Sequence, residues 1–106
     1  MTSNRDIALK LRELNERLED DSARVIGFRS WFDTDVDGLE VSVLWELETP
    51  LTRTWSLDRT DGLCALAAEA LLPLGVANVY CAYRTDAEPA DENDLAYWPT
   101  LERQAA

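Results

Sequence analysis

Twenty-one acidic side chains, two cysteines and no histidine restrict any chemistry this chain performs to carboxylates and thiols. Without imidazole it lacks the usual general base near neutral pH and the commonest metal ligand. Cys64 and Cys81 stand seventeen positions apart, with no further cysteine or histidine to complete a zinc site. Each lies among apolar neighbours and reads as a small core residue. Gly27, Gly38, Gly62 and Gly75 are scattered, so neither a phosphate-binding loop nor a dinucleotide fingerprint is present. Asp33-Thr34-Asp35-Val36-Asp37 alternates acids as a calcium loop does, yet Gly38 follows at once and no glutamate closes the loop. Asp33, Glu69 and Asp86 are the carboxylates whose elements would let them converge on Mg²⁺. With 21 acids in the chain, three in suitable elements are expected by chance. No catalytic residue, cofactor or metal site is therefore expected.

The stronger signal is the charge itself. Among 106 residues, 21 are acidic and 10 basic, for a net charge of -11 and a pI near 4.2. Such a field repels nucleic acid and anionic membranes and attracts basic proteins, unless it serves only to keep a small protein soluble. The arginines are dispersed among acids from Arg5 to Arg103, which argues against direct nucleic-acid binding. The acids fall in clusters: Glu19-Asp20-Asp21, Asp33/Asp35/Asp37, Glu40/Glu46/Glu48, and Glu88/Asp91/Glu92/Asp94. Repeated carboxylates can imitate the phosphates of a nucleic acid and occupy a basic channel. Trp31 and the Tyr97-Trp98 pair fall outside the core pattern. They are either interface anchors or tail residues folded back over the sheet. The partner-binding set expected from these patterns is Asp33, Asp35, Asp37, Glu40, Glu46, Glu48, Trp31, Tyr97 and Trp98.

These side chains need a scaffold, and the periodicity supplies one. Ile7, Leu11, Leu14 and Leu18 recur every three or four residues and predict a helix over residues 3–20, with Ser3 and Asp6 as a capping pair. Asp6/Lys10, Arg12/Glu16 and Glu13/Arg17 supply opposite charges along its flanks. From Arg24 the period becomes two, with Ile26, Phe28 and Phe32 on one face and Val25 and Trp31 on the other. Asp37-Gly38 marks a hairpin turn. The second strand puts Leu39, Val41, Val43, Trp45 and Leu47 inward and Glu40, Ser42, Glu46 and Glu48 towards water. Residues 51–57 predict a third strand with Leu51, Trp55 and Leu57 inward. Asp58-Arg59-Thr60-Asp61 offers N-caps for a second helix carrying Leu63, Leu66, Ala67, Ala70, Leu71 and Leu74, which Pro73 and Gly75 end. Residues 76–85 predict a fourth strand, Val79, Cys81 and Tyr83 alternating against Tyr80, Ala82 and Arg84. An acidic C-terminal tail, residues 86–106, follows, with one short helical turn over residues 92–98. Leu11, Leu14, Val41, Val43, Trp45, Trp55, Leu66 and Leu71 are the expected core.

The order α-β-β-β-α-β predicts a single α+β domain over residues 1–106, its helices packed on one face of a mainly antiparallel four-stranded sheet. The fourth strand should run parallel to the first or the third. This element order resembles the opening of ribonuclease H-like nucleases, which implies Asp33, Glu69 and Asp86 as metal ligands. Asp33, however, lies at the end of its strand rather than the centre, and an extra helix precedes the sheet. The polar N-terminus carries no signal-peptide pattern, and the long uncharged run of residues 62–83 is broken by Glu69, Pro73 and Gly75. A cytoplasmic, reducing location without membrane insertion is expected. Size, charge and missing catalytic residues are shared with phage-encoded inhibitors of defence nucleases and with toxin-immunity proteins. The expected function is thus a small acidic inhibitor of a basic, nucleic-acid-handling protein. The alternative is an assembly or regulatory subunit forming a homodimer through the first helix or a sheet edge, and the third reading is a carboxylate-metal nuclease.

Overall fold

The capping pair at Ser3 does start a helix. In the computed structural model, which describes residues 3–18, 23–48, 57–85 and 98–99, α1 runs Asn4–Arg17. The Ser3 hydroxyl accepts from the Asp6 backbone N–H at 3.3 Å while the Asp6 carboxylate accepts from the Ser3 N–H at 3.2 Å. Both orphan donors are satisfied by one reciprocal pair. Ile7, Ala8, Leu11 and Leu14 form its buried stripe, and Leu18 is the extended residue that ends it. Along the flank, Lys10 pairs with Glu13 at 3.7 Å rather than with Asp6.

Two long strands follow, β1 (Ala23–Asp33) and β2 (Gly38–Leu47), paired antiparallel. Their ladder slips between Val25 and Gly27, leaving Ile26 as the extra residue of a β-bulge. The bulge corrects the expected alternation. Val25 and Phe28, not Ile26 and Phe28, share the inner face, where they pair with Trp45 and Val43. At the end of the turn formed by residues 34–37, Asp37 takes a left-handed φ of 50°, a conformation Asp tolerates better than most residues. Gly38 then lies so close to Ala77 that a Cβ would meet the alanine's at 2.7 Å, which explains glycine where the hairpin meets the next strand.

α2 runs Leu57–Leu71, continues as a short 3₁₀ turn at Leu72–Leu74, and stops at Gly75 with φ 75°. Leu57 therefore opens a helix rather than closing a third strand. The rest of that expected strand, with Trp55, lies outside the described residues. β3 (Val76–Thr85) pairs parallel with β2, and the two-residue β4 (Trp98–Pro99) pairs antiparallel with β1, so the order is β3-β2-β1-β4. The sheet is mixed, with two antiparallel pairings and one parallel. The strand after α2 lands parallel on the open edge of β2, as a β2–α2–β3 crossover, and not on the first strand. Pro99, without an N–H, sits in an edge strand, as its chemistry requires. Trp98 is extended here, against the expected helical turn.

Both helices pack on one face of the sheet. Ile7, Leu11 and Leu14 of α1, Ala67 and Leu71 of α2, and Val25, Phe28, Val41, Val43, Trp45 and Leu47 of the strands form one buried cluster. Leu66 departs from expectation, being 40% exposed. The smaller Ala67 and Ala70 face the sheet instead, letting the helix approach it closely. Among the described residues, no helix is long and apolar enough to cross a membrane.

Candidate functional site

The strand register decides which carboxylates meet solvent together. On the outer face, away from the helices, β2 presents Glu40, Ser42, Leu44 and Glu46. As the central strand it is flanked on both sides, and Glu40, Ser42 and Leu44 are all buried. The expectation that this side faces water is corrected by its neighbours' side chains. Trp31 stands opposite Glu40 on β1, and Tyr80 stands opposite Ser42 on β3. The two rings meet across the strand between them, with centroids 6.1 Å apart and planes within 13°, and roof the polar side chains beneath.

Glu40, only 5% exposed, is held by two donors on one oxygen: Asn78 Nδ2 at 3.0 Å and the Tyr80 hydroxyl at 3.3 Å. A buried carboxylate must be compensated in this way. The Tyr80 phenol is held above its ordinary value, first by desolvation, then by the charge of Glu40, the hydrogen bond to it and the charge of Asp33. Glu46 lies in register between Arg24 and Arg84. Glu48 is exposed beyond the far end of β2.

That leaves the hairpin end. Asp35 and Asp37 are exposed and Asp33 half-buried, its Oδ1 accepting the Asp35 N–H at 2.9 Å. Beside them are large exposed apolar side chains: Trp31 at 40%, Phe32 at 60% and Val36 at 50%. Trp98, also exposed, sits opposite Phe28 on β1, which places it on the helix side of the sheet, away from Trp31. Tyr97 and Asp86 lie outside the described residues. Tyr80, which the sequence patterns did not single out, joins the outer face through its stack on Trp31. Comparison with family models, with curated proteins and with solved structures gives no match for this chain.

Two further features have a geometry that bears on chemistry. A groove of about 680 Å³ runs between α1 and α2, with Leu14, Leu63 and Leu66 on its walls and Glu69 on its rim beside Lys10, Arg17 and Arg59. Glu69 thus belongs to the helix layer and Asp33 to the hairpin end of the sheet. Among the described residues no group of three or more ligating side chains is placed to hold a metal ion. The second feature is the pair of free thiols. Cys81 Sγ accepts the Trp45 indole N–H at 3.3 Å, and the Cys64 thiol donates to the Val79 carbonyl at 4.0 Å.

Burial, followed by the neighbouring Cys64 thiol, pushes the Cys81 thiol from 9.0 up to about 12, and burial followed by the Cys81 charge raises Tyr83 as well. Since the folded state holds these protons more tightly than the unfolded chain, their stabilisation is fully present below pH 9 and is lost as the pH climbs towards 12. The melting temperature should accordingly fall above about pH 9. At pH 8 the folded protein should alkylate at Cys81 on the order of 10³ times more slowly than the unfolded chain, because the thiolate is the reactive form. Equal rates, read by mass spectrometry of the Cys81 peptide, would contradict the buried geometry.

Proposed function

We propose that this chain is a small acidic protein-binding inhibitor that blocks a basic, nucleic-acid-handling partner, of the phage anti-defence or immunity and antitoxin type. One observation carries the reading. The β1–β2 hairpin brings Asp33, Asp35 and Asp37 to the same end as the exposed Trp31, Phe32 and Val36, a charged rim beside apolar anchors on a two-stranded support. Carboxylates steer a basic surface into place, and desolvated aromatic and aliphatic contacts then hold it, since exposed ion pairs contribute only about 0–1 kcal/mol each. The acidic row that would imitate phosphates is shortened to this end, because Glu40 is roofed over and Glu46 is flanked by arginines.

The test is to replace Asp33, Asp35 and Asp37 together by Asn. Asn keeps the Oδ1 acceptor that closes the turn at residue 33 and tolerates the left-handed backbone at residue 37, so the fold should survive while three charges disappear. With a partner captured from the native host, the triple variant should associate about tenfold or more slowly and show a shallower dependence on salt. An affinity indifferent to ionic strength and to these substitutions would reduce the charge to a solubility device. The homodimeric assembly subunit would then be the better account.

A further inference from the structure

The roof over Glu40 has a shape and an electrostatic setting of its own. Rings that are parallel within 13° but 6.1 Å apart are slid past one another like shingles, not fully overlapped, so their outward faces remain open. Trp31 is 40% and Tyr80 48% exposed. Beneath them is the carboxylate of Glu40, whose Oε1 accepts from both Asn78 Nδ2 and the Tyr80 hydroxyl. Asp33 stands close enough for its charge to act on Tyr80. An electron-rich double face lies over one acid and beside another.

We infer that the Trp31–Tyr80 face is a seat for an arginine side chain of the basic partner, an inference that rests on the function proposed above. A guanidinium is planar, weakly hydrated and able to stack on aromatic faces while its edge reaches a carboxylate, whereas a lysine ammonium is a compact, strongly hydrated point charge. A nucleic-acid base would also stack, but its phosphates would meet Asp33, Asp35 and Asp37 in a chain of net charge -11. An acidic peptide is opposed by the same charges. Arg29 stands next to Trp31 on this face, in the same row as Ser42 and Tyr80, so the chain's own guanidinium borders the seat on the side away from the turn.

The experiment uses the full chain and two capped peptides, acetyl-(Gly-Arg)₃-amide and acetyl-(Gly-Lys)₃-amide, titrated at low ionic strength and followed by nuclear magnetic resonance. The arginine peptide should shift the Trp31 indole N–H and the Tyr80 resonances, and should bind about 2- to 5-fold more tightly than the lysine peptide, as expected for a cation over exposed rings. Trp31→Ala should bring that ratio to about one while leaving the lysine peptide's affinity within twofold. Tyr80→Phe, which keeps the ring, should preserve the preference and show that the sheet remains folded. If the two peptides bind equally well, or shift only Asp35 and Asp37, the arginine seat is wrong and the basic-partner reading stands. If neither binds anywhere, both fall.

Discussion

Trp45→Ala is expected to lower the unfolding free energy by about 3–5 kcal/mol, the usual cost of emptying a fully buried tryptophan site. Trp45 is 0% exposed and sits on the central strand. There it is opposite Val25 on β1 and Tyr83 on β3. Strands on both sides are fixed in register around it, so the cavity has little room to collapse. Its indole N–H also donates to Cys81 Sγ at 3.3 Å, and Trp45→Phe should separate the two contributions by retaining most of the apolar volume without the donor. Domains of this size have only about 5–15 kcal/mol in total, so the alanine variant should melt at a much lower urea concentration than the parent chain. A loss below about 1 kcal/mol in urea titration would mean that the helices do not cover this face of the sheet as described.

The second large effect concerns Asn15. Its amide makes a matched pair of bonds with one residue of β1: Nδ2 donates to the Val25 carbonyl at 2.9 Å, and Oδ1 accepts the Val25 N–H at 2.8 Å. The side chain of a helix thereby does what a neighbouring strand would do, at the residue just before the bulge. Asn15→Ala leaves two backbone groups of a fully buried residue without these partners and should cost about 2–4 kcal/mol. Asn15→Asp should be more harmful still at neutral pH, because a carboxylate would face the Val25 carbonyl with no proton to offer. That burden raises the folded-state pKa of the introduced acid above its unfolded value near 3.9. The variant should therefore recover stability as pH is lowered towards 4 and lose it as pH rises through the raised folded pKa. A pH-independent difference between the Asp and Ala variants would rule out the paired geometry.

Much of the fold was legible because it depends on neighbours in sequence. The stripe Ile7, Leu11, Leu14, the Ser3/Asp6 cap, the inward set of β2 and the turn at Asp37-Gly38 are local patterns, and each stands in the structure as expected. The departures come from contacts between distant segments. In Val25-Ile26-Gly27-Phe28 apolar residues occupy both parities, so nothing local shows which residue is extruded, and only the pairing with Trp45 and Leu44 reveals Ile26 as the bulge. The placement of β3 beside β2 likewise depends on where the chain returns after α2. Burial of Glu40 needed knowledge that Trp31 and Tyr80, from strands on either side, meet above it. Leu66 looked like core by hydrophobicity alone, but rotation of α2 towards Ala67 and Ala70 turns it into the groove. The hairpin acids and Trp31 could be singled out from spacing; Tyr80 could not, since stacking across a sheet leaves no sequence signature.

Central placement of β2 also has a consequence during synthesis. Its antiparallel partner β1 precedes it and is available at once, whereas Asn78, which receives Glu40 on the other side, is separated from it by 38 residues. At about 5–20 residues per second, an elongating chain spends about 2–8 s with that edge of β2 made but not yet paired. A long apolar strand with a bare edge is a template for joining other nascent chains. Glu40 stands on that strand as an uncompensated charge throughout the interval, and loses its exposure only when Asn78 and Tyr80 arrive. The residue that is an internal hydrogen-bond acceptor in the finished sheet is thus also a charge of the kind that disfavours wrong pairing of an open strand.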